Sequence, residues 1–336
     1  VAEASAANGG GLLSRPHLSV VIPLYNEARS IPALHSELAD VLDHLDCRSE
    51  VIVIDDGSSD GSFAALQAVH RRDARWIILR FRRNHGQTTA LSAGFEKAAG
   101  EIVVTIDADL QNDPRDIPRL LEKLDEGYDI VSGWRRERKE PFLTRRLPSM
   151  LANRLISRVT GVRLHDYGCT LKAYRSVVVK NIQLYGELHR FIPAVASQIG
   201  VQVTEIAVND RPRVHGSSKY GISRTIRVLL DLITVRFILG YSTRPLQIFG
   251  GIGLLACAAG GLLGLILSLE KLVANVDIGN RPLLILAALL IISGVQFISI
   301  GLVAEILVRS WHELRGHPVY MLRDTLERED EQTREA

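Results

Sequence analysis

Two stretches without one charged residue, Pro245 to Leu269 and Pro282 to Ala304, set the tightest limit on how this chain folds. Each exceeds the ~20 residues that an α-helix needs to cross a ~30 Å hydrocarbon core. A buried core helix can also be apolar, but two such runs so close together point to a bilayer. Their connector holds Glu270, Lys271, Asp277 and Arg281, whose charges cancel. Arg224, Arg227, Arg236 and Arg244 precede the first run, and Arg309, Arg315 and Arg323 follow the second. By the positive-inside rule both outer ends are cytoplasmic and the connector lies on the far side. The expected protein is a cytoplasmic domain carried on a two-helix hairpin in the cell (inner) membrane. Gly250, Gly253, Gly260, Gly261 and Gly264 in the first run would let helices approach closely, which leaves a homo-oligomer open.

What precedes Ile222 reads as a different kind of domain. Leu18–Leu24, Glu50–Ile54, Trp76–Phe81, Ile102–Ile106 and Asp129–Ser132 are short apolar segments with strand character. Between them, Ile31–Leu45, Ser62–Arg71, Thr88–Ala99 and Pro114–Glu126 show helical periodicity. Regular alternation of this kind predicts an α/β fold, a mostly parallel sheet with helices on both faces. The net charge of +2 is too small to signal a nucleic-acid partner. Cys47, Cys169 and Cys257 are far apart and lack metal-site spacing, which fits a reduced cytosolic setting. The expected partition is a disordered leader over 1–16 and a soluble domain over 17–221. An interfacial amphipathic helix over 222–244, the two membrane helices over 245–308 and a cytoplasmic tail over 309–336 follow.

In a doubly wound sheet, ligands gather at the carboxyl ends of the strands. The polar loops fall there. Pro23-Leu24-Tyr25-Asn26-Glu27 follows the first strand and Asp55-Asp56-Gly57-Ser58-Ser59-Asp60 the second. Arg83-Asn84-His85-Gly86-Gln87 follows the third, and Asp107-Ala108-Asp109-Leu110-Gln111 the fourth. Two aspartates at i and i+2 repel each other unless a cation lies between them, and oxygen-only donors suit Mg²⁺ or Mn²⁺ shared with a substrate's phosphates. Standing alone, the pair would read better as a solvated turn after a strand. The loops contain neither G-x-G-x-x-G nor G-K-[ST], so a dinucleotide or P-loop site lacks its fingerprint. Gly133–Gly161 carries seven arginines, and Met150–Val159 can form an amphipathic helix suited to an anionic bilayer surface.

The blocks V-V-I-P-L-Y-N-E, V-I-D-D-G-S-S-D, N-H-G-Q, D-A-D-L-Q, D-Y-G-C and R-x-H-G-S-S-K-Y, in this order, closely resemble the polyisoprenyl-phosphate glycosyltransferases of glycosyltransferase family 2. The resemblance runs from about Leu18 to Arg323, and the two-span tail most resembles the bacterial branch that glucosylates undecaprenyl phosphate or transfers 4-deoxy-4-formamido-arabinose to it. It implies a GT-A-type (Rossmann-like) fold and a Mg²⁺ or Mn²⁺ cofactor. It also implies transfer from a nucleotide sugar, UDP-glucose or a similar UDP-sugar, to a polyisoprenyl (undecaprenyl) phosphate. GDP-mannose is the alternative donor. By resemblance, Asp107, Asp109 and Gln111 hold the metal. Pro23, Tyr25, Glu27, Asp55, Asp56, Gln87 and Asp107 bind the nucleotide sugar. Arg135, Arg213, Ser217 and Lys219 grip the phosphates, and Asp166, Arg213 and Lys219 serve catalysis.

Chemistry alone adds two constraints. Diphosphate departure needs positive charge, which a cation and basic side chains can supply. A phosphate monoester has its second pKa near ~6 and is already a nucleophile at cytosolic pH, so Asp166 need not act as a strong base. Two other readings share the early blocks. A processive polysaccharide synthase would be expected to carry Q-x-x-R-W after its acceptor acid, and this chain has none. A non-catalytic nucleotide-binding scaffold would be expected to lose the metal or phosphate residues, and both sets are present.

Overall fold

The computed structural model describes residues 17–136, 153–154, 156–158, 160–182, 188–197, 200–212, 245–274 and 281–315. The chain separates into two compact units, one up to Leu232 and the other from Ile233.

The first unit is a seven-stranded sheet in the order β3-β2-β1-β4-β6-β5-β7. Its strands are β1 (Leu18–Leu24), β2 (Ser49–Asp55), β3 (Trp76–Arg80), β4 (Ile102–Thr105), β5 (Ile130–Arg135), β6 (Lys172–Arg175) and β7 (Val203–Val208). β1 lies between β2 and β4, parallel to both, and every one of its residues is buried. That explains its nearly continuous apolar sequence, because a central parallel strand is covered on both faces. Helices α1 (Ile31–Asp43), α2 (Ser62–His70), α3 (Gln87–Lys97) and α4 (Ile117–Asp125) connect successive strands. α1 turns Ile31, Leu34, Leu38, Val41 and Leu42 inward at helical spacing and starts with a proline in its first turn, where the missing N–H costs nothing.

All five expected strands and all four expected helices of this unit are present. β6 and β7 are additions. β6 is only four residues long and runs antiparallel between β4 and β5, so the sheet is mostly parallel. β1 has β2 on one side and β4 on the other, and the loops after these strands form the rim where the chain changes direction. Of the expected basic helix over Met150–Val159, residues 153–154 and 156–158 are described and are helical, with Ile156 buried. The interfacial segment 222–244 and the leader fall wholly outside the described residues.

The second unit is a pair of helices, Pro245–Ala274 and Pro282–Arg315. Within them Pro245–Val273 and Pro282–Val308 are long and apolar enough to cross a membrane. Glycine shapes the seam between them. A Cβ on Gly253 would stand 2.5 Å from the Gly294 carbonyl oxygen, and one on Gly260 would stand 2.7 Å from that of Ala287. Such contact between backbones is how membrane helices associate when lipid offers no hydrophobic drive. The other sides are apolar and open, with Leu255, Leu272 and Ile285 all more than two-thirds exposed. A surface of this kind belongs in lipid rather than water.

Candidate active site

Three rim loops are tied together before any ligand is considered. Asp55 ends β2, in register with Leu24 of β1, and its Oδ1 accepts from the Ser58 N–H at 2.8 Å. Among the described residues its Oδ2 has no hydrogen bond, and it faces Arg80 Nε at 3.5 Å. Asp56 accepts from the backbone N–H groups of His85 and Gly86, at 2.7 and 2.9 Å. It therefore holds the loop before α3. Between these loops Gly57 has φ +71°, and a Cβ there would lie 2.5 Å from the Arg83 carbonyl carbon, so only glycine fits. Asn26, at φ 57°, joins the first two loops by accepting from the Ser59 N–H through its side chain. Glu27 donates its N–H to Ser62 Oγ, and its carboxylate accepts from Ser30 Oγ. Tyr25 is left 42% exposed on the rim, available to stack on a ligand. Pro23 is buried within β1, in register with Ile54.

Through α3 this scaffold reaches the paired aspartates. Gln87, the first residue of α3, donates from Nε2 to Asp107 Oδ1 at 2.8 Å, and Thr170 Oγ1 donates to Asp107 Oδ2 at 2.6 Å. Asp107 is thus fixed from two sides. Burial, and then the Asp109 charge, push its carboxyl up to about 6. Asp109 is 8% exposed, and its Oδ1 accepts from the Gln111 N–H. Directly after Asp109 the chain turns through Leu110 at φ 63°, a strained conformation for a bulky residue. The Gln111 carbonyl accepts from the Arg211 N–H, and Arg211 also pairs with Asp113 and Glu37, both at 2.7 Å. Among the described residues no group of three His, Cys, Asp or Glu side chains could by itself hold a metal ion. Two crowded carboxylates with a neighbouring carboxamide still fit a cation whose shell is completed by water and phosphate.

Asp166 is buried, and Arg135 grips it in a fork, with Nε at 2.8 Å and a terminal nitrogen at 3.2 Å. The Gly168 N–H adds a third bond at 3.0 Å. Burial opposes the Arg135 charge, but the Asp166 carboxylate prevails and moves its pKa upward. The fork and the backbone N–H fix the orientation of the carboxylate. Arg213, Ser217 and Lys219 lie outside the described residues.

Four further residues, which sequence reasoning did not single out, belong to the same neighbourhood. Thr170 supports Asp107, and Lys172 lies buried behind it. Thr88 pairs with His189 at 2.7 Å, and burial pushes that imidazole down to about 3, so it is neutral. Thr170 and Lys172 directly follow the D-Y-G-C block, but nothing in their spacing marks them. Thr88 and His189 meet only through the fold.

A mostly parallel sheet with carboxylates at the rim of its β1–β4 switch is the GT-A-type arrangement expected from the sequence. The family model Glycosyl transferase family 2 matches residues 19–183. A dodecaprenyl-phosphate galacturonate synthase of Rhizobium johnstonii is 42% identical over 91% of this chain and 92% of its own length. An undecaprenyl-phosphate 4-deoxy-4-formamido-L-arabinose transferase of Pseudomonas syringae pv. syringae is 38% identical over 91% of this chain and 89% of its own. Among solved structures, glucosyl-3-phosphoglycerate synthase of Mycobacterium tuberculosis, in complex with Mn²⁺, UDP and phosphoglyceric acid, shares the fold. It superposes with a TM-score of 0.53 at 18% identity, over 67% of this chain and 78% of that one. The chain belongs to the polyisoprenyl-phosphate glycosyltransferases of glycosyltransferase family 2 and is a membrane-associated enzyme of that family.

Proposed function

We propose that the protein transfers a sugar from a UDP-sugar to a polyisoprenyl phosphate at the cytoplasmic face of the membrane, with inversion at the anomeric carbon. The observation that carries this reading is the match to the galacturonate synthase, which spans both the rim and the hairpin. The named relatives handle galacturonate and 4-deoxy-4-formamido-L-arabinose, so the corresponding UDP-sugars replace UDP-glucose as the first candidate donors.

In this reading Tyr25, Glu27 and Asp55 face the nucleoside, while Asp56 positions the loop that carries Gln87. Asp107, Asp109 and Gln111 would hold a divalent cation, Mg²⁺ or Mn²⁺. When bound, that ion supplies positive charge to the departing nucleotide diphosphate. Asp107 is oriented for this by Gln87 and Thr170, as metal-binding carboxylates commonly are by their own hydrogen-bond partners. The lipid phosphate attacks directly, as a ready-made anion. Asp166, held by Arg135, fixes the acceptor side rather than removing a proton. Arg213, Ser217 and Lys219 complete the phosphate grip.

Purified protein in liposomes with undecaprenyl phosphate, offered UDP-galacturonate, UDP-4-deoxy-4-formamido-L-arabinose, UDP-glucose and GDP-mannose, tests the donor. Lipid-linked product from one of the first two is expected. Product from UDP-glucose or GDP-mannose alone contradicts the assignment.

The role of Asp166 is tested by its amide. Asp166→Asn is expected to lower the rate while leaving the acidic limb of the profile near ~6, where the lipid phosphate ionises. Complete loss of turnover, with both substrates still bound, would make Asp166 an obligatory base.

A further inference from the structure

Below the rim, three buried polar side chains stand in one row across the sheet. β6 places Lys172 directly opposite Thr105 of β4 on one side and Ser132 of β5 on the other. Directly opposed residues of antiparallel strands share a face of the sheet. Thr105, Lys172 and Ser132 are 1%, 3% and 0% exposed. Thr105 Oγ1 donates to the Thr170 carbonyl at 2.6 Å, whereas Ser132 Oγ has no partner among the described residues. The Lys172 ammonium donates to the Tyr167 carbonyl at 3.3 Å, and no other partner is found for it among the described residues.

Lysine is almost never fully buried unless paired, and a desolvated ammonium with one long hydrogen bond is a net cost to the fold. The surroundings show what offsets that cost. The Tyr167 carbonyl belongs to the loop that carries Asp166. Burial, the largest effect, lowers the Lys172 pKa, and the Arg135 charge adds to that. Cys169 and the carboxylates of Asp166 and Asp107 oppose it and so offset only part of the cost. Lys172 therefore lies behind the donor-side and acceptor-side carboxylates together, on a strand that links β4 to β5.

We propose that Lys172 is a positioning residue for glycosyl transfer, whose ammonium beneath the rim fixes the Asp166–Cys169 loop through the Tyr167 carbonyl. The proposal rests on the reading of the protein as a polyisoprenyl-phosphate glycosyltransferase. It predicts an unusual pairing of effects. Lys172 makes no salt bridge among the described residues, so an apolar side chain of similar size removes a desolvated charge without breaking a close ion pair. The full-length Lys172→Met protein is therefore expected to melt at or above the wild-type temperature. Its kcat per folded molecule should nevertheless fall about tenfold or more, while KM for the UDP-sugar changes little. Lys172→Arg keeps a permanent charge and is expected to retain most of the wild-type kcat.

The test uses liposomes with undecaprenyl phosphate and UDP-galacturonate, or the UDP-sugar that labels the lipid best. A folded Lys172→Met protein with wild-type kcat overturns the proposal. If the methionine variant does not fold, Lys172→Gln is compared with Lys172→Arg. A slow glutamine variant beside an active arginine variant supports a working charge, and equal rates overturn it. Wild-type protein that labels no lipid phosphate refutes the transfer reading itself. Labelling by wild type and methionine variant alike refutes only the role of Lys172.

Discussion

Asp109→Ala is expected to lower glycosyl transfer by ~10²–10³ or more, the typical loss when one preorganised electrostatic group is removed from a transition state. The fold should survive. Asp109 lies on the rim after β4, outside the strands and helices, and its Oδ1 accepts from the Gln111 N–H of the same turn. Removing it also withdraws the charge that, after burial, holds the Asp107 carboxyl up at about 6. That elevated value has a direction for stability. The folded state binds the Asp107 proton more tightly than the unfolded chain, so this group favours folding below ~4 and loses that contribution as pH rises through about 6. Cation binding must displace the same proton, so Mn²⁺ titrated with UDP should bind less tightly as pH falls below about 6. Calorimetry and steady-state kinetics on the same preparations check both statements. Near-normal turnover of Asp109→Ala in EDTA would remove the metal assignment.

The second large effect concerns the hairpin. Truncation after Tyr241 should leave nucleotide binding nearly intact, because every described rim residue precedes that point. Transfer to a long-chain lipid phosphate should fall far more steeply. The hairpin confines the enzyme to the plane in which the acceptor's head group emerges, and prepaid positioning of this kind can be worth several powers of ten in effective concentration. The comparison is between kcat/KM for undecaprenyl phosphate in liposomes and Kd for UDP, in full-length and truncated protein. A truncated enzyme equally active on bilayer-held acceptor would deny the hairpin this role.

The parts that were legible in the sequence are those whose physics is local. β1 declares itself because a strand covered on both faces must be continuously apolar, and α1 because its buried residues recur at helical spacing. The membrane helices need only length and the absence of charge. β6 was not legible. Lys172 and Arg175 at its ends look like surface residues, and only its place between β4 and β5 makes it a strand. The site divides in the same way. Asp107 and Asp109 stand out as a pair, but the partners that orient Asp107 come from α3 and from Thr170, which is 63 positions away. Asp56 matched the nucleotide pocket by resemblance, yet its two oxygens hold the loop before α3. Arg135 and Asp166 were assigned separate tasks, and the fold joins them in one ion pair, 31 positions apart. Such pairings depend on chain crossing, which neither spacing nor propensity encodes.

The most direct test of the central claim is the linkage in the product. Full-length protein in liposomes containing undecaprenyl phosphate is incubated with UDP-galacturonate or UDP-4-deoxy-4-formamido-L-arabinose and Mg²⁺ or Mn²⁺, and the lipid fraction is analysed by mass spectrometry and NMR. The account predicts a polyprenyl monophosphate carrying one sugar, with the anomeric configuration inverted relative to the donor and free UDP released in equal amount. A lipid diphosphate-sugar, a polymer, or UDP release with no sugar on the lipid would contradict it.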